Sequence, residues 1–309
     1  MNRLVLHFLT FAMGLTLARS AISQTTTNPD FTRKEDVIYG RKHGMALTLD
    51  VFTPKDKPNG LGVIFVISGG WFSSHDAISP AFIDPFIKRG YTVFAVVHGS
   101  QPRFTIPECI DDMNRSVRFI RHNASSFGID PERIGIYGLS AGGHLSLMQG
   151  LSGDKGKIAS LDAVSRSPSR VKAVAAFFPP TDFLNYSKPG EIAIGRGILQ
   201  DFKAAFDFHH YDIMQKVYVA DTDESKIQEI GRTISPVNHV SKDDPPVLIL
   251  HGDADKLVPI QQAELIIQKL RAVGVPTKLV VRKGKGHGWE NMAKDMEIVA
   301  DWFDEHLKK

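Results

Sequence analysis

The sequence predicts an α/β fold: a mostly parallel, twisted sheet with helices on both faces, an N-terminal antiparallel hairpin, and an insertion or cap between two core strands. Three observations carry this prediction. Short apolar runs at 61–67 (LGVIFVI), 91–97 (YTVFAVV), 171–178 and 247–250 are too brief for helices and rich in β-branched or aromatic residues, as buried parallel strands are. Between them lie segments with apolar residues every three or four positions, clearest at Ile110, Met113, Val117 and Ile120, the period of a helix packed on one side. The two kinds of segment alternate along the chain, which implies parallel strands joined by right-handed crossovers.

Taken in order, the first 23 residues stand apart. Arg3 precedes an apolar run at 4–17, and small residues follow at Ala18, Ser20, Ala21 and Ser23, the layout of a secretory signal peptide. The run is shorter than the roughly 20 residues a membrane span needs. Residues 1–23 are therefore expected to be a leader removed on export, with no stable membrane insertion afterwards, leaving a secreted or periplasmic domain over 24–309. Cleavage after Ser20 or after Ser23 satisfies the small-residue requirement equally.

Runs at 37–39 and 46–52, separated by a turn with Gly40 and Gly44, read as the hairpin. The strand at 61–67 leads through a helix at 80–89 to the strand at 91–97. A helix at 106–124 ends near Gly128 and is followed by a strand at 133–137, a helix from Ser140, and the strand at 171–178. After the strand at 247–250 come a helix at 260–273, a strand at 278–281 and a final helix at 291–307. Residues 182–244 break the alternation. They contain no clear strand but hold Phe183, Tyr186, Phe202, Phe206, Phe208, Tyr211 and Tyr218, so the segment reads as an insertion whose aromatic rings pack over something. No internal repeat or low-complexity tract is present.

Composition narrows the function classes. Hydrophobic residues at 42% and charged residues at 23% argue against disorder, collagen and polytopic membrane architecture. A net charge of +3, falling by two if Arg3 and Arg19 leave with the leader, gives no pull toward nucleic acid. Cys109 is the only cysteine, so no internal disulfide can form, and it reads as a small buried hydrophobe. The oligomeric state is not legible.

Gly138-Leu139-Ser140-Ala141-Gly142 matches G-x-S-x-G, a motif short enough to arise by chance, but here a strand feeds into it and a helix leaves it. Ser140 is then expected on a strained strand-to-helix turn where a Cβ at Gly138 or Gly142 would collide. The start of the helix turns its free N–H groups toward the serine. A serine hydroxyl needs an imidazole to take its proton, and the imidazole needs a carboxylate to fix its tautomer. Two later loops, each following a core strand, supply them: His251-Gly252-Asp253-Ala254-Asp255 and Gly284-Lys285-Gly286-His287-Gly288-Trp289. Open α/β sheets build their sites at that edge.

On these three motifs, and on the stretch FGIDPERIGIYGLSAGGHL over 127–145, the chain resembles the α/β-hydrolase superfamily from about residue 37 to 305. Within it, the chain is similar to the acetyl-xylan and feruloyl esterase-like, hormone-sensitive-lipase-like and kynurenine-formamidase-like groups. The resemblance implies a serine carboxylesterase with Ser140 as nucleophile, His287 as base and Asp255 as orienting acid, acting on a small-molecule or carbohydrate ester without cofactor or metal. An oxyanion hole is expected from the Ala141 N–H and from the turn Ser68-Gly69-Gly70-Trp71, with Gly70 and Trp71 as donors. The resembling esterases carry histidine where Ser68 stands, which leaves the bracing of this turn open.

Rival readings remain within the chain. Asp253 and Asp182 are alternative acids, Asp182 also reading as a cap. His144, one turn beyond Ser140, reads as packing. His98, Trp71 and Trp289 are candidates for the substrate-pocket wall, against structural roles for each. His209 and His210 have no acidic or cysteine partner at ligand spacing, so no metal is expected. The functional rivals are an exopeptidase-like serine hydrolase and a non-catalytic secreted binding protein.

Overall fold

The structure, a computed structural model, describes residues 25–27 and 30–309; the expected leader at 1–23 lies outside them. Strands β1 (Thr25–Thr27), β2 (Phe31–Lys42) and β3 (Met45–Pro54) form the antiparallel edge of the sheet. The turn between β2 and β3 is made by His43 (φ 47°) and Gly44 (φ 79°), and two consecutive positive φ values give the two-residue hairpin turn whose twist matches the strands.

The parallel part follows in the predicted order. Strand β4 (Gly62–Ile67) leads through the short helix α1 (Asp84–Lys88) to β5 (Thr92–Val97). Helix α2 (Ile106–His122) leads to β6 (Ile134–Leu139), and α3 (Ala141–Ser152) to β7 (Ala173–Phe177). Helix α2 starts where the Glu108 carboxylate accepts the Thr105 N–H at 2.8 Å, and the chain turns away at Gly128 with φ 66°.

Residues 182–244 contain a ribbon of two short strands, β8 (His209–Asp212) and β9 (Val217–Ala220), and the helix α4 (Glu224–Thr233). The ribbon departs from the expectation of no strand. Its side chains are largely exposed, so it never needed the apolar alternation that marks a half-buried strand. The chain closes with β10 (Val247–Gly252), α5 (Gln261–Ala272), β11 (Thr277–Arg282) and α6 (Met296–Leu307).

Among the described residues the main sheet has nine strands in the order β1-β2-β3-β5-β4-β6-β7-β10-β11, parallel from β5 to β11. Alternate residues of β4 serve opposite faces. Ile64 and Val66 join a core with Met113, Val117, Leu145, Ile266 and Leu270, from α2, α3 and α5. Val63, Phe65 and Ile67 join another with Phe86, Ile87, Val299 and Phe303, from α1 and α6. The chain passes from β4 to β5 on one side and then returns to β6 on the other, so the strand order reverses at β4. The connections leaving β4 and β6 run to opposite sides there, and in an open α/β sheet such a reversal is the usual place for a site. This is the α/β-hydrolase fold. Among the described residues no helix is long and apolar enough to cross a membrane.

Candidate active site

Ser140 stands between β6 and α3 with φ 52° and ψ −118°, a conformation that L-residues rarely adopt. The neighbouring glycines permit it. A Cβ on Gly138 would lie 2.4 Å from the backbone of Gly142, and one on Gly142 would lie 2.7 Å from the Val66 carbonyl oxygen. The Ser140 N–H donates to the Phe177 carbonyl at 2.9 Å, tying the turn to β7.

The loops after β10 and β11 bring their residues to this turn. His287 Nε2 lies 2.9 Å from Ser140 Oγ, and His287 Nδ1 lies 2.8 Å from Asp255 Oδ2. A carboxylate only accepts, so Nδ1 carries the proton and the Nε2 lone pair faces the serine hydroxyl. Asp255 Oδ1 accepts the N–H groups of Leu257 and Val258, both at 2.9 Å. Burial raises the Asp255 pKa, but hydrogen bonds from His251, His287 and the Val258 N–H outweigh it and hold the carboxyl well below its usual range. The group can therefore stay ionised beside an imidazole that gains and loses a proton.

The rival acids are engaged elsewhere. Asp253 accepts the Gly284 N–H at 2.6 Å, joining the acid loop to the histidine loop. Asp182 Oδ1 caps the Leu184 and Asn185 N–H groups at 3.0 and 3.1 Å.

Phe178, which the sequence did not single out, and His251, quoted there only as the start of the acid motif, complete this corner. The Phe178 ring lies 4.4 Å from the His287 ring and packs on Trp289 at 5.7 Å. The fully buried His251 donates Nε2–H to the Val258 carbonyl at 2.8 Å and stands 3.5 Å from Asp255 Oδ2. The signal for both was their place at the C-terminal ends of β7 and β10. Trp289 is half-buried, with its indole N–H donating to Asp295 Oδ2 at 2.7 Å.

The turn after β4 is a tight one. Gly69 and Phe72 exchange both backbone hydrogen bonds at 2.9 Å, while Gly70 and Trp71 have φ of 55° and 60°. Neither the Gly70 nor the Trp71 N–H has a protein acceptor among the described residues, and the Ala141 N–H lies in the first turn of α3, where no intrahelical acceptor exists. The Ser68 carbonyl accepts the Gly142 N–H at 3.3 Å, which sets this turn against the start of α3.

His98 supplies the brace that Ser68 left open. Its Nδ1–H donates to the Gly99 carbonyl at 2.7 Å, so Nε2 accepts the Ser68 hydroxyl at 2.8 Å. His144 plays a similar part, donating Nε2–H to the Ile234 carbonyl at 2.7 Å and accepting the Trp71 indole N–H on Nδ1 at 3.2 Å. His98 and Trp71 are 3% and 2% exposed, so neither side chain has open surface on which to meet a ligand. That corrects their expected place on a pocket wall: the aromatic residues of the insertion, Phe183, Phe202 and Phe206, surround the Trp71 ring and bury it. Phe202 also lies against Gly70, where a Cβ would come within 2.4 Å of its ring.

His209 and His210 lie on the exposed ribbon, with His210 paired to Asp221 at 2.7 Å. Among the described residues, Asp36, Asp50 and His75 bring ligand atoms within 4.8 Å of one another on the antiparallel edge. Arg33 already sits 2.6 Å from Asp50 there, so a guanidinium supplies the positive charge.

Comparison with known proteins bears on what this arrangement does. Residues 49–270 match the BD-FAE family profile. The chain is similar to Esterase LipC of Mycobacterium tuberculosis, at 28% identity over 84% of this chain and 60% of the relative. It is also similar to the Probable carboxylic ester hydrolase LipM of the same organism, at 29% identity over 79% of this chain and 53% of the relative. The chain thus spans between 53% and 60% of the length of these two curated relatives. Among solved structures, a truncated form of a carbohydrate esterase from gut microbiota superposes with TM-score 0.73 at 27% identity, covering 93% of this chain and all of the other.

Proposed function

The chain belongs to the BD-FAE family, and on that footing we propose that it is a serine carboxylesterase that cleaves esters through an acyl-enzyme on Ser140. The observation that carries this reading is the unbroken line from Ser140 Oγ to His287 at 2.9 Å and from His287 to Asp255 at 2.8 Å. The relatives named as esterases support it.

In the proposed reaction His287 takes the Ser140 proton as the oxygen attacks the ester carbonyl. The carbonyl oxygen gains negative charge and is held by the N–H groups of Gly70, Trp71 and Ala141. The tetrahedral intermediate expels the alcohol, which receives the proton from His287. A water then attacks the acyl-enzyme by the same route, and Asp255 remains ionised throughout. The non-catalytic reading draws on Ser68 in place of histidine, and the Ser68–His98 bond at 2.8 Å removes that motive.

The substrate class in this reading is a small-molecule or carbohydrate ester. The similarity to a solved carbohydrate esterase favours an acylated sugar. Export to the periplasm or the medium is part of the same proposal and rests on the leader-like run at 4–17.

The test is turnover of a short p-nitrophenyl ester by Ser140→Ala. The variant should lose activity by a factor on the order of 10⁶. Turnover equal to that of the parent contradicts the assignment.

A further inference from the structure

Resting on the acyl-transfer reading above, we propose that Gln101 is a positioning residue for the oxyanion turn: by holding the Gly70 carbonyl, its side-chain amide aims the Trp71 N–H at the developing negative charge. Gln101 belongs to the segment that leaves β5, and it grips the turn after β4 twice. Its Nε2–H donates to the Gly70 carbonyl at 3.0 Å, and its backbone N–H donates to the Trp71 carbonyl at 3.2 Å.

The first of these bonds decides a direction. A peptide unit is planar and its C=O and N–H point opposite ways, so fixing the Gly70 carbonyl fixes the Trp71 N–H on the far side of the same plane. That peptide is the central one of the four-residue turn from Gly69 to Phe72. With φ positive at both Gly70 and Trp71, the turn is of type I′. Flipping its central peptide alone gives a type II′ turn. The flip keeps the Gly69–Phe72 pairing, relieves the positive φ that a bulky tryptophan tolerates poorly, and turns the Trp71 N–H away.

Local strain therefore favours the flipped turn, and the Gln101 side chain opposes it. The indole bond to His144 at 3.2 Å anchors the Trp71 ring, not the plane of the peptide before it. Gly70 can make the flip because glycine accepts either arrangement.

The experiment compares Gln101→Met and Gln101→Glu with the parent. Both keep the length of the side chain and remove the donor. For a short p-nitrophenyl ester, kcat per reactive serine should fall roughly 10- to 100-fold, below the loss seen when an oxyanion donor is deleted outright. KM should stay within about twofold, and the affinity of a trifluoromethyl ketone should fall in proportion to kcat, because the interaction is stronger in the transition state. The pH profile of Gln101→Met should keep its shape, since the imidazole is untouched.

Counting reactive serines with a fluorophosphonate taken to completion separates this effect from loss of folded protein. A kcat within about twofold of the parent in either folded variant, or a rise in KM with kcat preserved, overturns the proposal. If Ser140→Ala is inactive while the Gln101 variants match the parent, only this inference fails. If Ser140→Ala remains active, the acyl-enzyme reading fails with it.

Discussion

His98 and His144 have both ring nitrogens committed, one as donor to a carbonyl and the other as acceptor from a side chain. A second proton on either ring would meet the hydroxyl of Ser68 or the indole N–H of Trp71. Burial, which disfavours the charged form, accordingly pushes both rings down from 6.5 to about 4. Between those values the unfolded chain binds a proton at each position and the folded chain does not, so stability must fall as pH falls. The loss approaches about 1.4 kcal/mol per pH unit for each histidine and stops once the folded rings also protonate. Urea unfolding at pH 7, 6 and 5 should show this slope, and His144→Gln should make it shallower. Equal slopes for parent and variant would contradict the neutral assignment. Neither role could be read from the residue alone, although Ile67 and Val97 are register partners in β4 and β5, which puts Ser68 and His98 side by side at the strand ends.

Among the elements, the passage from β6 into α3 depends most on sequence. Gly138 is where the end of β6 folds back on the backbone of Gly142, and Gly142 is where α3 meets the backbone of β4 at Val66, so an added methyl at either meets main chain that cannot rotate away. Gly138→Ala should cost about 3 kcal/mol or more and displace the serine. Its urea midpoint and its ester turnover should therefore both drop, and parent-like values for the two would show that the turn is looser than the contacts imply. The elbow was legible because strand, motif and helix are contiguous in the chain. The helix expected at 80–89 was less so: it forms a 3₁₀ turn at Pro80–Phe82 and then α1, with Pro85 interrupting the period. The ribbon at β8 and β9 carried no pattern because its faces are exposed, whereas the rings of Phe183 and Phe206 were correctly expected to pack over something, namely Trp71.

At the scale of the molecule, the sheet converts distance along the chain into proximity. The turn at 68–72, the elbow at Ser140 and the loops holding Asp255 and His287 all leave the same edge, on either side of the reversal at β4. The core strands were readable because strands buried on both faces are continuously apolar, and the motif loops followed from where those strands end. The cross-loop contacts were not readable. Phe178 on His287 and Gln101 on Gly70 join residues whose closeness depends on strand order, which periodicity does not encode.

These loops together should make one serine unusually reactive, and mass spectrometry of the protein after exposure to a fluorophosphonate reads that reactivity. A single adduct is expected on the peptide containing Ser140, absent from Ser140→Ala and strongly slowed in His287→Ala. An unlabelled parent protein, or an adduct that forms as readily in Ser140→Ala, would contradict it.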